Sequence, residues 1–452
     1  MSTPDQQQPG PGNLPPRIVA APPGRASRAL ADRLAGVESR NVTYRSREFP
    51  IFWNKARGSN VWDPDGNRYV DLTAGFGVAA AGHGNRRVVT ALRRQLGRQI
   101  HGLGDVHPPV AKLKLLELLA ELSPWDDTRT ILGNSGSEAV EAALKTARLA
   151  TGRPGVLAFT GAYHGLTYGA LALTDRAHFR APFADQLNQH VVRVPFPPGP
   201  AAEADEALAA VDAALAGPAG KRVGAAIVEP IQGRGGIVEP PIGFLSGLAE
   251  RCSERGILLI FDEIYTGCGR TGDWFALEHE GVTPDLLCLG KSMSGALPIS
   301  ACLGPAELMD AWPASEGEAI HTSTFLGNPM ACAAATASLL EIRRRDLPAR
   351  AAAVGAAWMA ALAGLADRYA AVRGVRGRGL MLGLELADPD SGRPATELTG
   401  RLVHAALRRG WIVLPDGPDA SVLSFTPPLT IAEPLLERAT AMLEESLTEL
   451  LA

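Results

Sequence analysis

Lysine is scarce in this chain, which carries its positive charge almost entirely on arginine. Of 44 basic residues only six are lysine, so each lysine can be inspected individually. The five cysteines are an odd number without a Cys-x-x-Cys pair, and no His-Glu-x-x-His pattern occurs. A disulfide framework or a metal site is therefore not expected. A net charge of −4 also gives no electrostatic reason to expect nucleic acid or an anionic membrane as a partner.

The chain also lacks a long apolar run. No stretch approaches the roughly 20 apolar residues that a membrane-spanning helix needs. The N-terminus is rich in Pro, Gly and Gln and has no apolar segment typical of a signal peptide. We therefore expect a disordered leader over residues 1–40 and a cytoplasmic protein that acts on small molecules.

Helical and strand patterns alternate between about residues 110 and 305. The strand patterns are short and continuously apolar, which is typical of a mostly parallel α/β sheet with both faces covered. The turn signal Asp-Pro-Asp-Gly within 60–72 predicts a hairpin. Long helices rich in Ala, Leu and Arg follow residue 330, with short strands between them. The predicted units are an N-terminal segment of the small domain (41–74), a large domain (75–330) and a smaller α+β C-terminal domain (331–452).

Lys291 follows an apolar strand pattern, so a position on a solvated surface does not explain it, unlike the other lysines. Burying an ammonium group is costly unless it is paired or neutralised. Glu229 and Asp262 follow two other strand patterns in the same way. One acidic residue in such a place is commonly a helix cap or a loop ligand. Three polar residues on successive strand ends indicate a site, since a parallel sheet gathers those ends at one edge.

The stretch Gly-Asn-Ser-Gly-Ser, residues 133–137, leads into a helical pattern. Free N–H groups and the helix dipole favour an anion there, phosphate above all, and Gly136 and Ser137 suit a phosphate cradle. The alternative is an ordinary N-cap with Glu138 in the first turn. A lysine, a buried carboxylate and a phosphate cradle together suggest pyridoxal 5′-phosphate (PLP), held by the lysine amine and kept protonated at its ring nitrogen by the carboxylate.

Seven stretches carry a resemblance to a known family. They occur in order over roughly residues 50–450 and read SGSEAVEAALKTAR, GAYHGLT, VEPIQGRGG, LLIFDEIYTGCGRTG, PDLLCLGKSMSGALP, TSTFLGNP and FTPPLTI. The ordered set resembles the class III (ω-type) aminotransferases of fold type I. The resemblance implies a PLP-dependent enzyme that moves an amino group from an amine or amino acid to a keto acid or aldehyde by a ping-pong mechanism. It also implies a large domain with a mostly parallel central sheet and a smaller α+β domain.

The resemblance also implies roles for individual residues. Lys291 is then the Schiff-base lysine and the base that moves the α-proton, and Asp262 pairs with the pyridine nitrogen. Tyr163 stacks on one ring face and Ile264 packs on the other. Thr324 reaches the phosphate of the neighbouring subunit, which implies a homodimer with interface active sites and leaves a tetramer open. The implied cofactor-binding set, which includes no metal, is Ser135, Gly136, Ser137, Tyr163, His164, Glu229, Asp262, Ile264, Lys291 and Thr324.

Several positions depart from the family pattern or have two interpretations. Many members have Glu where this chain has Arg234 and Arg where it has Ser424, and in them the two form a switchable ion pair whose Arg binds the substrate's α-carboxylate. Arg234 is then either a relocated carboxylate clamp or a surface arginine in a glycine-rich loop. Tyr265 stands where Gln is common. Phe76, with Val78, either lines the amine pocket or belongs to the core.

Two further residues of the motifs have a structural interpretation. His164 either contacts the cofactor or is a structural histidine beside Tyr163. Arg270, in the stretch GCGRTG, is expected to fix a turn rather than to bind substrate.

The cofactor residues alone do not separate two reactions. Amino-acid and aminolactam racemases of the same family lack the Arg and keep the cofactor residues. A racemase returns the proton to the α-carbon and an aminotransferase delivers it to the cofactor, and Lys291 can serve both. We expect an aminotransferase, with a racemase or epimerase as the alternative. The Lys291–Asp262 pair argues against a protein that binds a cofactor without turnover.

Overall fold

The structure is a computed structural model and describes residues 12–452. None of its helices within that range is both long and apolar enough to cross a membrane. The helices are α1 (Arg25–Ala35), α2 (Arg86–Leu96), α3 (Val110–Leu122), α4 (Gly136–Thr151), α5 (Tyr168–Leu173), α6 (Ala177–Arg180), α7 (Ala204–Ala216), α8 (Phe244–Glu254), α9 (Ala306–Met309), α10 (Pro329–Arg344), α11 (Leu347–Ala363), α12 (Thr396–Arg408) and α13 (Glu433–Leu451). The strands are β1 (Lys55–Arg57), β2 (Asn60–Trp62), β3 (Arg68–Asp71), β4 (Thr128–Gly133), β5 (Gly155–Phe159), β6 (Val191–Val194), β7 (Val223–Val228), β8 (Leu258–Asp262), β9 (Leu286–Leu289), β10 (Ser300–Pro305), β11 (Val372–Arg378), β12 (Met381–Leu386), β13 (Trp411–Ile412), β14 (Leu414–Asp416) and β15 (Val422–Phe425).

A seven-stranded sheet forms the centre of the molecule, in the order β4-β10-β9-β8-β7-β5-β6. All pairs from β9 to β6 are parallel, and β10 runs antiparallel to both of its neighbours. Every residue of β7 and β9 is buried, as their continuously apolar sequences require. The prediction of a mostly parallel central sheet is confirmed. β6 and β10 are strands that the sequence patterns did not reveal.

Helices cover both faces of this sheet. α4 crosses one face in contact with β4, β7, β8, β9 and β10. Its buried residues are mostly alanine, such as Ala139 and Ala143, so the helix axis can approach the strands closely. On the other face, α8 packs on β8 beside α7, and Phe244 of α8 meets Phe159 of β5 edge to face.

Two smaller sheets complete the fold. The predicted hairpin is confirmed, because β2 pairs with β3 in the register that puts Asn60 opposite Val70. The same sheet also takes β13 from the C-terminal part, where Trp411 lies opposite Val70 in a parallel pair. The second sheet, β11-β12-β15-β14, is antiparallel and packs with α11 and α12. The predicted smaller α+β part is therefore present, and the boundaries at 41–74, 75–330 and 331–452 stay predictions.

The predicted disorder of the leader is wrong for a described part of it, because residues 25–35 form helix α1. The cap of this helix comes from the hairpin turn. The Asp65 carboxylate accepts the N–H groups of Ala26 at 2.6 Å and Ser27 at 2.9 Å. Composition alone does not reveal a cap that lies so far away in sequence. Residues 1–11, also predicted to be disordered, lie outside the described residues.

Candidate active site

The carboxyl ends of β7, β8 and β9 open onto one cavity with a volume of about 320 Å³. Glu229 directly follows β7, Asp262 ends β8, and Lys291 follows β9 after one glycine. The three strands are neighbours in the sheet, so their polar ends meet as the sequence pattern indicates. The cavity is lined by Ser135, Gly136, Ser137, Tyr163, His164, Gly165, Leu166, Glu229, Asp262, Ile264, Tyr265 and Lys291.

Lys291 occupies this cavity in an unusual backbone conformation. Its φ angle is +34°, and a short 3-10 turn, Lys291–Met293, begins at this residue. Within residues 12–452 no carboxylate lies at ion-pair distance from its Nζ atom, which is 4.1 Å from the centroid of the Tyr265 ring. Burial lowers the pKa of Lys291, while the charges of Asp262 and Glu229 act in the opposite direction. The lowered pKa increases the fraction of neutral, nucleophilic amine.

Asp262 is held by a histidine. Its Oδ2 atom is 2.7 Å from His164 Nδ1, and its Oδ1 atom accepts the N–H of Ile264 at 3.1 Å. Since the carboxylate can only accept, Nδ1 of His164 carries the proton that it donates. The His164 backbone N–H in turn donates to Thr174 Oγ1 at 3.0 Å. His164 thus lines the cavity and orients Asp262, which agrees with the structural interpretation, and its contact with the cofactor stays a prediction.

Glu229 connects two loops below the cavity. Its carboxylate accepts the N–H of Tyr163 at 2.9 Å and that of Gly233 at 3.0 Å. Burial raises the pKa of Glu229 to about 7, although the charge of His164 and these two N–H groups lower it. Glu229 therefore fixes the loop that carries the Tyr163 ring against the glycine-rich loop after β7.

The first turn of α4 forms the opposite wall. Ser135 is the N-cap, and its hydroxyl accepts the N–H of Glu138 at 3.4 Å and lies 3.1 Å from the Ser137 hydroxyl. A Cβ atom on Gly136 would lie only 2.9 Å from Cδ1 of Ile264, so the helix start can lie this close only with glycine. The N-cap and a phosphate-binding turn are therefore compatible interpretations. Ser135 caps the helix, and the first turn still lines the cavity with N–H groups and hydroxyls.

The other predicted site residues do not line the cavity. Phe76 is 56% exposed, so its assignment to the core is wrong. Thr324 is exposed as well. Arg234 is not a free surface arginine, because its Nε atom is 3.1 Å from Oδ1 of Asp416. Ser424 donates to the other oxygen of Asp416 at 2.7 Å.

Asp416 is the residue of this region that the sequence patterns missed. It ends β14 and is followed by Gly417, so in sequence it looks like part of an ordinary turn. Its partners are eight residues away in Ser424 and far earlier in Arg234. One signal for Asp416 is present in the sequence. Positions 234 and 424 both differ from the family pattern, so Arg234 needs an acidic partner other than residue 424.

Arg270 holds backbone segments together through hydrogen bonds to carbonyl oxygens, in agreement with the structural role predicted for it. It is fully buried and donates from Nη1 to the carbonyl oxygens of Leu380 at 3.0 Å and Pro427 at 2.5 Å. Burial lowers its pKa to about 10. The side chain thus ties the loop after β8 to the C-terminal part. Across residues 12–452 there is also no group of three or more His, Cys, Asp or Glu arranged to hold a metal ion.

Comparison with known proteins places this geometry in context. The family model for class III aminotransferases matches residues 42–447. The chain is 39% identical over 399 residues to an acetylornithine aminotransferase of Methanopyrus kandleri, with 88% of this chain and 95% of the relative covered. It is 36% identical over 405 residues to a 4-aminobutyrate aminotransferase of Escherichia coli, with 88% and 94% covered.

Solved structures show the same likeness. An amine transaminase from an uncultivated Pseudomonas species, in its PLP-bound form, matches with a TM-score of 0.84 and 30% identity over 91% of this chain and 98% of its own. An ornithine aminotransferase of Toxoplasma gondii matches with a TM-score of 0.82 and 31% identity, over 94% of this chain and 95% of its own.

Proposed function

The chain belongs to the class III aminotransferases, and from that premise we propose that its cavity is a PLP site in which Lys291 and Asp262 carry the chemistry. The protein is an aminotransferase of fold type I, which moves an amino group from an amine or amino acid to a keto acid or aldehyde. The racemase alternative finds no support in these comparisons. The observation that carries the proposal is that a lysine, a buried carboxylate and a helix N-terminus line one cavity.

The residues present fit PLP. The Gly136 backbone is free of a Cβ where Ile264 packs, which leaves the helix start open to a phosphate. Lys291 has a lowered pKa and no carboxylate at ion-pair distance among the described residues, as an amine that reacts with an aldehyde requires. When bound, PLP supplies an aldehyde that takes up amines and a ring that accepts electrons from the substrate carbon.

Each residue then has a defined task. Lys291 would hold the cofactor through its amine, and the same amine would serve as the base that moves the proton of the substrate carbon. Asp262, oriented by His164, keeps the proton on the pyridine nitrogen. Tyr163 and Ile264, which both line the cavity, would pack against the cofactor ring.

The cradle binds the phosphate group through the first turn of α4. Ser135, Gly136 and Ser137 present their N–H groups and hydroxyls at the cavity wall, and the helix dipole favours negative charge there. Glu229 acts indirectly, because it holds the Tyr163 loop in place.

Replacing Gly136 by alanine is expected to weaken PLP binding by about tenfold, because the added Cβ would lie 2.9 Å from Ile264 and push the helix start or Ile264 away from the ring. Titration of the apo-protein with PLP, followed by visible absorbance, measures this. The matched control is Gly400→Ala in α12, where a Cβ would meet nothing within 4 Å. Equal PLP affinity in both variants would contradict the cradle.

The reaction is tested by adding single donors to the PLP-loaded protein without an acceptor. We expect the visible absorbance to fall with L-glutamate, L-alanine or a diamine, while one equivalent of the matching carbonyl product appears. A keto acid added afterwards should restore the absorbance, because the ping-pong scheme separates the two halves of the reaction. Unchanged absorbance together with loss of optical rotation of the amino acid would instead establish a racemase.

We further propose a cytoplasmic homodimer. Thr324 and Phe325 are exposed and do not line the cavity of their own chain, which leaves them available to the site of a second copy. Their neighbour Ser323 accepts a hydrogen bond from Asn134 at 3.3 Å, so the segment begins beside the cradle. The five free and buried thiols suit a reducing compartment.

A further inference from the structure

The amine of Lys291 lies over the ring of Tyr265. The Lys291 Nζ atom is 4.1 Å from the ring centroid, within the range in which the face of an aromatic ring attracts a cation. Tyr265 is buried and lines the cavity. It stands where many class III aminotransferases have Gln, so the ring is a feature of this chain that the general cofactor chemistry does not explain.

Two glycines fit closely against opposite edges of the Tyr265 ring. A Cβ atom on Gly77 would lie 2.7 Å from Cε2 of the ring, and a Cβ atom on Gly233 would lie 2.2 Å from Cδ1. Neither position can carry a side chain while the ring stays in this place. Gly77 belongs to the loop after β3 and Gly233 to the loop after β7, so two separate loops fix the ring.

The Tyr265 hydroxyl is also fixed. It is 3.2 Å from Oγ1 of Thr426, and Thr426 donates its own proton to the carbonyl oxygen of Thr73 at 3.1 Å. The phenol is therefore the donor and Thr426 the acceptor. Burial raises the pKa of Tyr265 to about 12, so the phenol keeps its proton at neutral pH. Both ring edges and the hydroxyl are thus held by protein groups, and one ring face is directed at Lys291.

The surroundings of Lys291 make a positive charge there costly. Burial is the largest influence, and it lowers the pKa of Lys291. The charges of Asp262, Glu229 and Asp416 act against burial, whereas the charge of Arg234 acts with it. The face of an aromatic ring attracts the ammonium group without competing for its proton, because the ring has no basic atom on that face.

We propose that Tyr265 is a positioning residue whose ring face holds the Lys291 ammonium group while the lysine carries the proton of the substrate carbon. This inference rests on the proposed function and adds a residue to the same site. The neutral amine of Lys291 takes the proton from the substrate carbon, and the electron pair of the broken C–H bond passes into the cofactor ring. The ammonium group then gives this proton to a carbon of the cofactor. Between the two transfers, the Tyr265 ring stabilises the charge in place.

The kinetic test separates the Tyr265 ring from its hydroxyl. In the PLP-loaded enzyme, Tyr265→Leu removes the ring and is expected to lower kcat about tenfold while the donor KM changes less than about twofold. Tyr265→Phe keeps the ring and should retain at least about half of the wild-type kcat. The kinetic isotope effect with a donor deuterated at the reacting carbon should increase only in Tyr265→Leu, because proton transfer then limits the rate.

The protonation of Lys291 gives a second readout that needs no turnover. In the enzyme loaded with pyridoxamine 5′-phosphate, the lysine amine is not bonded to the cofactor and can be titrated by NMR of its labelled ε-carbon. Lysines are few in this chain, so comparison with Lys291→Arg assigns the signal. The acid dissociation constant of Lys291 should rise about tenfold in Tyr265→Leu, because the ammonium form loses its stabilising ring, and should change little in Tyr265→Phe.

Fluorinated phenylalanines at position 265 keep the shape of the ring and weaken the negative charge of its face step by step. The kcat should therefore fall progressively with the number of fluorine atoms. This series decides the question if Tyr265→Leu does not fold. A constant kcat along the series, or an equal loss in Tyr265→Phe and Tyr265→Leu, would overturn the proposal.

A matched control removes the ring from another contact between a lysine and an aromatic side chain. Lys55 Nζ is 4.9 Å from the centroid of the Trp62 ring, and Trp62→Leu should leave kcat and the isotope effect unchanged. A wild type that binds PLP but never transfers an amino group contradicts the proposed function alone. A wild type that turns over, with the same dissociation constant of Lys291 in Tyr265→Leu, contradicts only the role of the ring.

Discussion

Lys291→Ala is expected to abolish amino-group transfer, with kcat lowered by at least about 10⁴-fold. The substitution removes the group that bonds to the cofactor aldehyde and the base that moves the substrate proton. The neighbouring Tyr265, 4.1 Å away in the wild type, has its pKa raised by burial to about 12 and is a poor base at neutral pH. Single-turnover loss of visible absorbance with a fast donor measures the effect.

A second readout separates loss of chemistry from loss of structure. After borohydride treatment, the mass of the PLP-loaded wild type should increase by one cofactor, and that of Lys291→Ala should not. The matched control is Lys221→Ala, because Lys221 is exposed on the short turn Gly220–Arg222. Retained turnover in Lys291→Ala, or cofactor attachment at another lysine, would contradict the mechanism.

Asp262→Asn is expected to lower kcat by about 10²- to 10⁴-fold while PLP still binds. The amide can occupy the same space, but it carries no charge to keep the proton on the ring nitrogen. It can also present an N–H toward His164 Nδ1, which in the wild type donates to Oδ2 at 2.7 Å. Stopped-flow absorbance with a saturating donor measures the rate, and equilibrium titration measures the PLP affinity.

Asp285→Asn provides the control for removal of a half-buried carboxylate next to the same sheet. Asp285 lies at the start of the segment that forms β9, at the opposite end of that strand from Lys291, and it accepts the N–H of Leu259 at 2.7 Å. The amide oxygen can keep that bond, so kcat should stay within about twofold of the wild type. An equal loss of kcat in both variants would show that Asp262 acts by stability rather than by charge.

Much of the central sheet follows from local sequence. β7, β8 and β9 are continuously apolar and end on polar residues, so their burial and the meeting of Glu229, Asp262 and Lys291 could be expected. β6 was missed because its pattern Val-Val-Arg-Val lies at the sheet edge, with Arg193 donating to backbone carbonyls. Short runs of this kind do not differ in periodicity from loops.

Features that depend on distant partners could not be predicted. Helix α1 is capped by the distant Asp65, and the prediction of disorder rested on the Pro, Gly and Gln residues that precede the helix rather than on the helix itself. Asp416 acquires its role only when β14 and β15 bring it to Ser424 and Arg234. The contacts of Arg234 and Ser424 with Asp416 therefore depend on the tertiary fold and cannot be read from any one segment. The polar residue at the end of a strand, in contrast, is visible in the sequence of that strand alone.

The parallel pair between β3 and β13 has a consequence for synthesis on the ribosome. Val70 can pair with Trp411 only after Trp411 has been synthesised, which is about 340 residues later. At ordinary elongation rates this delay is about 17 to 70 s. Until then the hairpin presents an unpaired edge, which is open to pairing with other chains. The loop beside the cavity also lacks a stabilising contact until late in synthesis, because Thr426 donates to the carbonyl oxygen of Thr73 at 3.1 Å. We therefore expect that the nascent chain completes its active site only after Trp411 and Thr426 have been synthesised, and that chains truncated before Trp411 aggregate rather than retain weak activity.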